Sequence, residues 1–132
     1  MIFVDTSFWV ALEVPGDDRH RDSVALLNAH GGQPLATTNH VRGETWTFLR
    51  RRAGHHVSVH FLDVLDRSVR LQILHVGDEL ERDALRWLRR HDEREYSFVD
   101  ATSFAVMRAR GIGEALAFDG DFAAAGFVEL RA

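Results

Sequence analysis

The order in which short apolar runs and amphipathic stretches alternate constrains this chain more than any other feature. Runs at residues 2–5, 35–38, 69–76, 115–118 and 127–130 carry β-branched and aromatic side chains, and between them apolar residues recur at helical spacing. Such alternation builds an α/β fold in three layers, a mainly parallel central sheet with helices on both faces. In sheets of this kind, ligands sit beyond the carboxyl ends of the strands. At 132 residues the chain is sized for one domain, residues 1–132, with one core.

Local signals place the elements. Thr6 or Ser7 is expected to cap a helix running to about Glu13, which Val14-Pro15-Gly16 breaks. Val24, Leu26 and Leu27 mark a second helix, ended by Gly31-Gly32. Asn39 is expected to cap a third, with Val41, Thr45, Phe48 and Leu49 on one face, and a fourth follows with Val57, Phe61, Leu62 and Leu65 as its buried stripe. The run VRLQILHV, 69–76, alternates as a strand should. Asp78 and Glu81 have the spacing of a capping box for a helix using Leu80, Ala84, Leu85 and Leu88. Ser97 opens a helix that Gly111 closes, and a short helix over 121–125 precedes the last strand.

This layout carries acids to one edge of the sheet. Asp5 closes the first strand and Asp119 follows the strand ending at Phe118; Glu44 and Asp100 lie in the opening turns of helices that face the same edge. Each acid alone has an ordinary explanation: Asp5 and Asp119 as caps or turn residues, Asp100 as partner to Ser97 in a cap, Glu44 as a solvated residue near a helix N-terminus. Gathered together, like charges raise one another's pKa and call for protons or a cation. Magnesium suits such a site, with manganese as a substitute, since both take oxygen ligands.

Composition removes alternatives. There is no cysteine, which excludes disulfides, thiolate zinc sites and thiol catalysis. All 16 basic residues are arginine, so mechanisms needing a lysine amine, such as a Walker phosphate loop or a Schiff base, cannot operate. No apolar run approaches the roughly 20 residues of a membrane span, and the N-terminus lacks the layout of a secretory signal; a cytoplasmic protein is expected. The formal charge of -4 opposes binding to nucleic acid, an objection that weakens once metal covers several carboxylates.

Four segments carry a resemblance. IFVDTSFWVAL around Asp5, TTNHVRGETWTFL around Glu44, YSFVDATSFAVMRARGI around Asp100 and ALAFDGDFAAAGF around Asp119 and Asp121 resemble, in order and spacing, the motifs of the PIN-domain ribonucleases, in particular the VapC toxins of toxin-antitoxin pairs. The resemblance spans the chain and implies a PIN-like α/β/α fold and a Mg2+- or Mn2+-dependent endoribonuclease that cleaves RNA with metal-activated water. It implies Asp5, Glu44, Asp100 and Asp119 as catalytic and metal-binding acids, with Asp121 as a further metal ligand. Thr6 and Ser103 are expected to support them by hydrogen bonds. Related sequences often have Thr or Ser two places before the fourth acid, where this chain has Ala117; with that hydroxyl gone, either Asp119 is expected to sit slightly differently or Asp121 to take a larger share.

The first helix, with Phe8, Trp9, Val10 and Leu12, is apolar nearly all round, to be covered either by the next helix or by another chain; the resemblance implies the second, with a VapB-like antitoxin as partner. Trp46 and Phe48 are candidates for a homodimer contact. Arginines 50–52, or Arg86, Arg89 and Arg90, are candidates to guide RNA. His56 and His60 stand four apart as zinc ligands can, but Val57 occupies the place of the zincin glutamate. Two rival activities remain, a PIN-fold binding protein without catalysis and a metal-dependent phosphatase, the latter from the D-x-D of Asp119-Gly120-Asp121. A metal-binding adhesion module, suggested by Asp5-Thr6-Ser7, fails at Trp9, where its motif needs serine.

Overall fold

The computed structural model describes residues 1–132. Its elements are β1 (Ile2–Val4), α1 (Thr6–Glu13), α2 (His20–Ala29), β2 (Leu35–Thr38), α3 (Asn39–Ala53), α4 (His55–Arg67), β3 (Leu71–Leu74), α5 (Asp78–Arg90), α6 (Phe98–Arg110), β4 (Glu114–Leu116), α7 (Asp121–Ala124) and β5 (Val128–Glu129). The five strands pair in the order β3-β2-β1-β4-β5, all parallel. Connections from β1 run to one side of it and those from β3 return on the other, so the strand order reverses between β1 and β4. A crevice opens at such a point beyond the carboxyl ends of the strands.

The apolar runs form the middle of the sheet because both of its faces are covered. Ile2, Phe3, Val4, Leu35, Ala36, Ala115 and Leu116 are all buried. Phe104 of α6 packs edge-on against Phe122 at 4.9 Å between ring centroids, closing one face. On α1, Phe8 stacks on Phe118 and Trp9 meets Phe61 of α4 edge-on. The apolar girth of α1 is therefore consumed inside the chain: Phe8, Trp9 and Val10 are buried between the sheet and the neighbouring helices. Of the two coverings open to α1, internal burial is the one observed, and the partner groove implied by the resemblance is not found on these residues.

Several caps differ from those expected. The side chain that caps α1 is Asp5 itself, accepting from the Ser7 amide, and not Thr6 or Ser7. Thr38 caps α3 by accepting from the Val41 amide. Asn39 instead bridges to the strand end beside it: its Oδ1 accepts from the Val76 amide at 2.7 Å and its Nδ2 donates to the Val76 carbonyl. Gly77 occupies the N-cap of α5, which puts Asp78 inside the helix and leaves no capping box with Glu81. Only the Ser97 and Asp100 box forms as read, with both reciprocal bonds present. The third strand is also shorter than its alternation, because Arg70 turns back to the carbonyls of Gln33 and His30 and leaves Val69 exposed.

Candidate functional site

Each acid reaches the crevice through a local device. Asp5 leaves the end of β1 with its amide bonded to the Leu116 carbonyl of β4, which fixes it at the β1/β4 junction. Its Oδ2 accepts from both the amide and the hydroxyl of Ser7, at 3.2 and 2.8 Å. The amide of Phe118 in turn donates to that hydroxyl at 3.0 Å, so Ser7 ties the carboxylate of Asp5 to the segment that carries Asp119. Asp100 sits in the first turn of α6 with its Oδ2 accepting from the Ser97 amide at 3.0 Å. The ordinary reading of Asp100 as half of a cap is observed, and the same carboxylate also lines the cleft, since one carboxylate has lone pairs for more than one partner.

Asp119 and Asp121 share the turn between β4 and α7. Gly120 makes that turn possible with a φ of 84°, a left-handed conformation natural to glycine, and the Asp121 amide donates to Asp119 Oδ1. One carboxylate oxygen from each of Asp100, Asp119 and Asp121 lies within 4.8 Å of the others. Asp5, Glu44, Asp100, Asp119 and Asp121 line a single cleft. Glu44, in the second turn of α3, stands on the cleft wall outside that tight trio; Asp5 lies at the floor, 2% exposed.

The electrostatics follow from this crowding. Burial, then the charges of Asp119 and Asp100, push the carboxyl of Asp5 up to about 8, against the opposing effect of Ser7. Burial likewise lifts Asp100 to about 6, with Asp119 and Asp121 adding to the rise and the Ser97 amide restraining it. Asp119 is raised as well, by burial and by Asp121 and Glu129. Carboxyls held above their ordinary range by burial and by one another are stabilised as anions by a cation. A hard divalent ion that takes oxygen ligands and keeps some of its water fits a donor set made only of carboxylates.

Supporting contacts fall partly on other residues than expected. The hydroxyl of Thr45 donates to that of Thr6 at 3.1 Å, a buried link between the helix of Glu44 and the helix of Asp5. Ser103 donates back to the Val99 carbonyl of its own helix. Neither Thr6 nor Ser103 bonds a carboxylate; Ser7 does. Ser7 was legible in the sequence only as a candidate helix cap and as part of the Asp5-Thr6-Ser7 triplet. Arg94 was also missed: from the irregular segment before α6 it donates Nε to Asp121 Oδ1 at 2.8 Å and a terminal nitrogen to the Asp119 carbonyl at 3.2 Å. No periodicity marks a loop residue of this kind. Ala117 is buried where a hydroxyl was expected, and its carbonyl accepts from Arg131.

Around the acids, the cleft also has Arg19, Arg51 and Arg52 on its walls, with Phe48 and His40. Arg52 is paired to Asp17 at 2.7 Å. Of the two arginine groups, Arg51 and Arg52 of the one on α3 line the cleft and Arg50 does not, while Arg86 pairs with Asp83 on its own helix, outside the cleft. His60 pairs with Glu13, and the candidate zinc pair it would form with His56 is not among the clustered ligands. The D-x-D of Asp119 and Asp121 follows β4, not the first strand where the phosphatase motif belongs.

A family model described as PIN domain matches residues 2–128. The chain is 58% identical over 131 residues to the 23S rRNA-specific endonuclease VapC20 of Mycobacterium tuberculosis, in strains CDC 1551 / Oshkosh and H37Rv alike, across 99% of this chain and 98% of the relative. Its fold superposes on the crystal structure of Mycobacterium tuberculosis VapC20, described as a sarcin-ricin loop cleaving toxin, with a TM-score of 0.93 and 55% identity over the full length of both chains.

Proposed function

The chain belongs to the PIN domain family, and from that premise we propose that it is a divalent-metal-dependent endoribonuclease, the toxin of a VapB–VapC pair, whose substrate is the sarcin-ricin loop of 23S rRNA. The observation that carries this reading is the convergence of Asp5, Glu44, Asp100, Asp119 and Asp121 on one cleft, in a chain 58% identical to an endonuclease of that specificity. The whole length, residues 1–132, acts as one PIN domain.

Asp100, Asp119 and Asp121 would hold the cation, Mg2+ or Mn2+, with Asp5 completing the set from the cleft floor and Glu44 orienting water from the wall. Bound there, the cation supplies an activated water and neutralises charge gathering on the phosphate and the leaving oxygen. Ser7 keeps Asp5 aimed at the cleft, and the cap of α6 does the same for Asp100. Arg51 on the cleft wall, with Arg52 beside it in its pair with Asp17, offers positive charge to the RNA backbone, which offsets the repulsion expected from the formal charge of -4.

An antitoxin of the VapB kind covers this cleft and silences it, with a basic side chain among the acids. A second copy of the chain is a further partner, on α3 at Trp46 and at Phe48, which is 47% exposed and stands at the cleft wall. No helix is long and apolar enough to cross a membrane. The protein works in the cytoplasm, where ribosomal RNA is found.

The test is incubation of the purified protein with a 23S rRNA fragment containing the sarcin-ricin loop. Cleavage should need Mg2+ or Mn2+, stop with EDTA, return on adding Mn2+, and leave 3′-hydroxyl and 5′-phosphate ends. Cleavage that survives EDTA, or cyclic phosphate ends, would contradict the proposal.

A further inference from the structure

The two segments that deliver the acids meet at Arg94. It lies between α5 and α6, six residues ahead of Asp100, and its guanidinium spans the turn between β4 and α7. One nitrogen bonds the Asp121 carboxylate and another the backbone of Asp119. A planar guanidinium with donors in a fixed fork holds two acceptors in a set geometry, which a lysine amine cannot do. A Cβ added at Gly120 would stand 3.3 Å from the same guanidinium, so the turn and the arginine are closely fitted. Asp119 and Asp121 line the cleft, as does Glu95, the residue after Arg94 in the chain.

We propose that Arg94 is a positioning residue for the metal centre: it clamps the turn carrying Asp119 and Asp121 to the segment leading into Asp100, and so sets the three carboxylates to receive one divalent cation. The inference rests on the metal-dependent reading above. Charge and geometry predict opposite consequences of removing the clamp. By Coulomb's law alone, deleting a cation beside a cation site tightens metal binding. Loss of the clamp loosens it, because ligands whose outer partners are removed typically lose about 10- to 100-fold in metal affinity.

The deciding experiment is calorimetric titration of the full-length protein with Mn2+, without RNA, for the wild type, Arg94→Ala, Arg94→Lys, Asp121→Asn and the double variant Arg94→Ala/Asp121→Asn. Circular dichroism checks that each is folded. The wild type should bind Mn2+. Arg94→Ala should bind roughly 10-fold or more weakly, and Arg94→Lys, with the charge but not the fork, should fall between. The double variant should be little weaker than Asp121→Asn alone, because Arg94 acts largely through that carboxylate. Unchanged or tighter binding by Arg94→Ala, with the wild type binding, would overturn the role of Arg94 and leave the proposed activity standing. If Arg94→Ala fails to fold, Arg94→Lys decides: binding equal to that of the wild type overturns the inference. Absence of Mn2+ binding by the wild type would overturn both.

Discussion

The hydroxyl of Ser7 donates to Asp5 Oδ2 at 2.8 Å and accepts from the amide of Phe118 at 3.0 Å, so one side chain joins the ends of two adjacent strands at the floor of the cleft. Replacing Ser7 by Ala should lower cleavage by about 10-fold, since Asp5 loses its aim. It should also cost about 1 kcal/mol of stability, because the Phe118 amide loses its partner. The hydroxyl favours the ionised form of Asp5, so its loss raises that carboxyl further. The acid limb of the pH–rate profile should therefore move to higher pH, a shift that loss of stability alone would not produce.

Asp5 is held at a cost to the fold. Asp5→Asn keeps an oxygen to accept from Ser7 but removes the charge that burial opposes. Without metal at pH 8 the variant should melt about 5 °C or more above the wild type, as a gain of 1–2 kcal/mol in a domain of this size implies. It should be inactive. Thermal melting checks the first statement and RNA cleavage the second.

Raised carboxyls also set the pH dependence of stability. Asp5 at about 8 and Asp100 at about 6 hold protons in the folded state that the unfolded chain has released above pH 4. The folded state thus binds more protons across this window, and stability falls as pH rises from about 4 to about 8. Saturating Mn2+ should flatten that slope, since a bound cation favours the anions. Urea unfolding at several pH values, with and without Mn2+, measures both slopes.

Most of the architecture was legible because it depends on periodicity. The run at residues 35–38 became β2 with the same bounds, and Ser97 with Asp100 formed the box that its spacing implied. Errors gathered at helix starts, where a shift of one residue exchanges a capping side chain for a helical one. Thr38 rather than Asn39 and Gly77 rather than Asp78 are of this kind, and of the caps read for α1 it is Asp5 and not Thr6 or Ser7 that forms. The candidate acids were legible because strand ends and helix starts share one edge in an alternating fold. Arg94 was not, since it bonds a turn 25 residues or more away in sequence, and the part of Ser7's role that ties Asp5 to Phe118 was not, since only the sheet brings Phe118 near.

Arg51 and Arg52 line the cleft with the acids, whereas Arg89 and Arg90 close α5 elsewhere. Arg51→Ala combined with Arg52→Ala should raise KM for RNA several-fold with little change in kcat. It should also make binding less sensitive to salt, by about one unit of log–log slope for each phosphate that is no longer neutralised. The corresponding pair of changes at Arg89 and Arg90 should leave KM unaltered. Cleavage rates at several salt concentrations separate these outcomes.

The central claim is that the clustered carboxylates cut RNA. Its most direct test maps by primer extension the cleavage of 23S rRNA by the wild type and by Asp100→Asn, each folded and each supplied with Mn2+. The account predicts a cut within the sarcin-ricin loop by the wild type and none by Asp100→Asn. Equal cutting by both would contradict it.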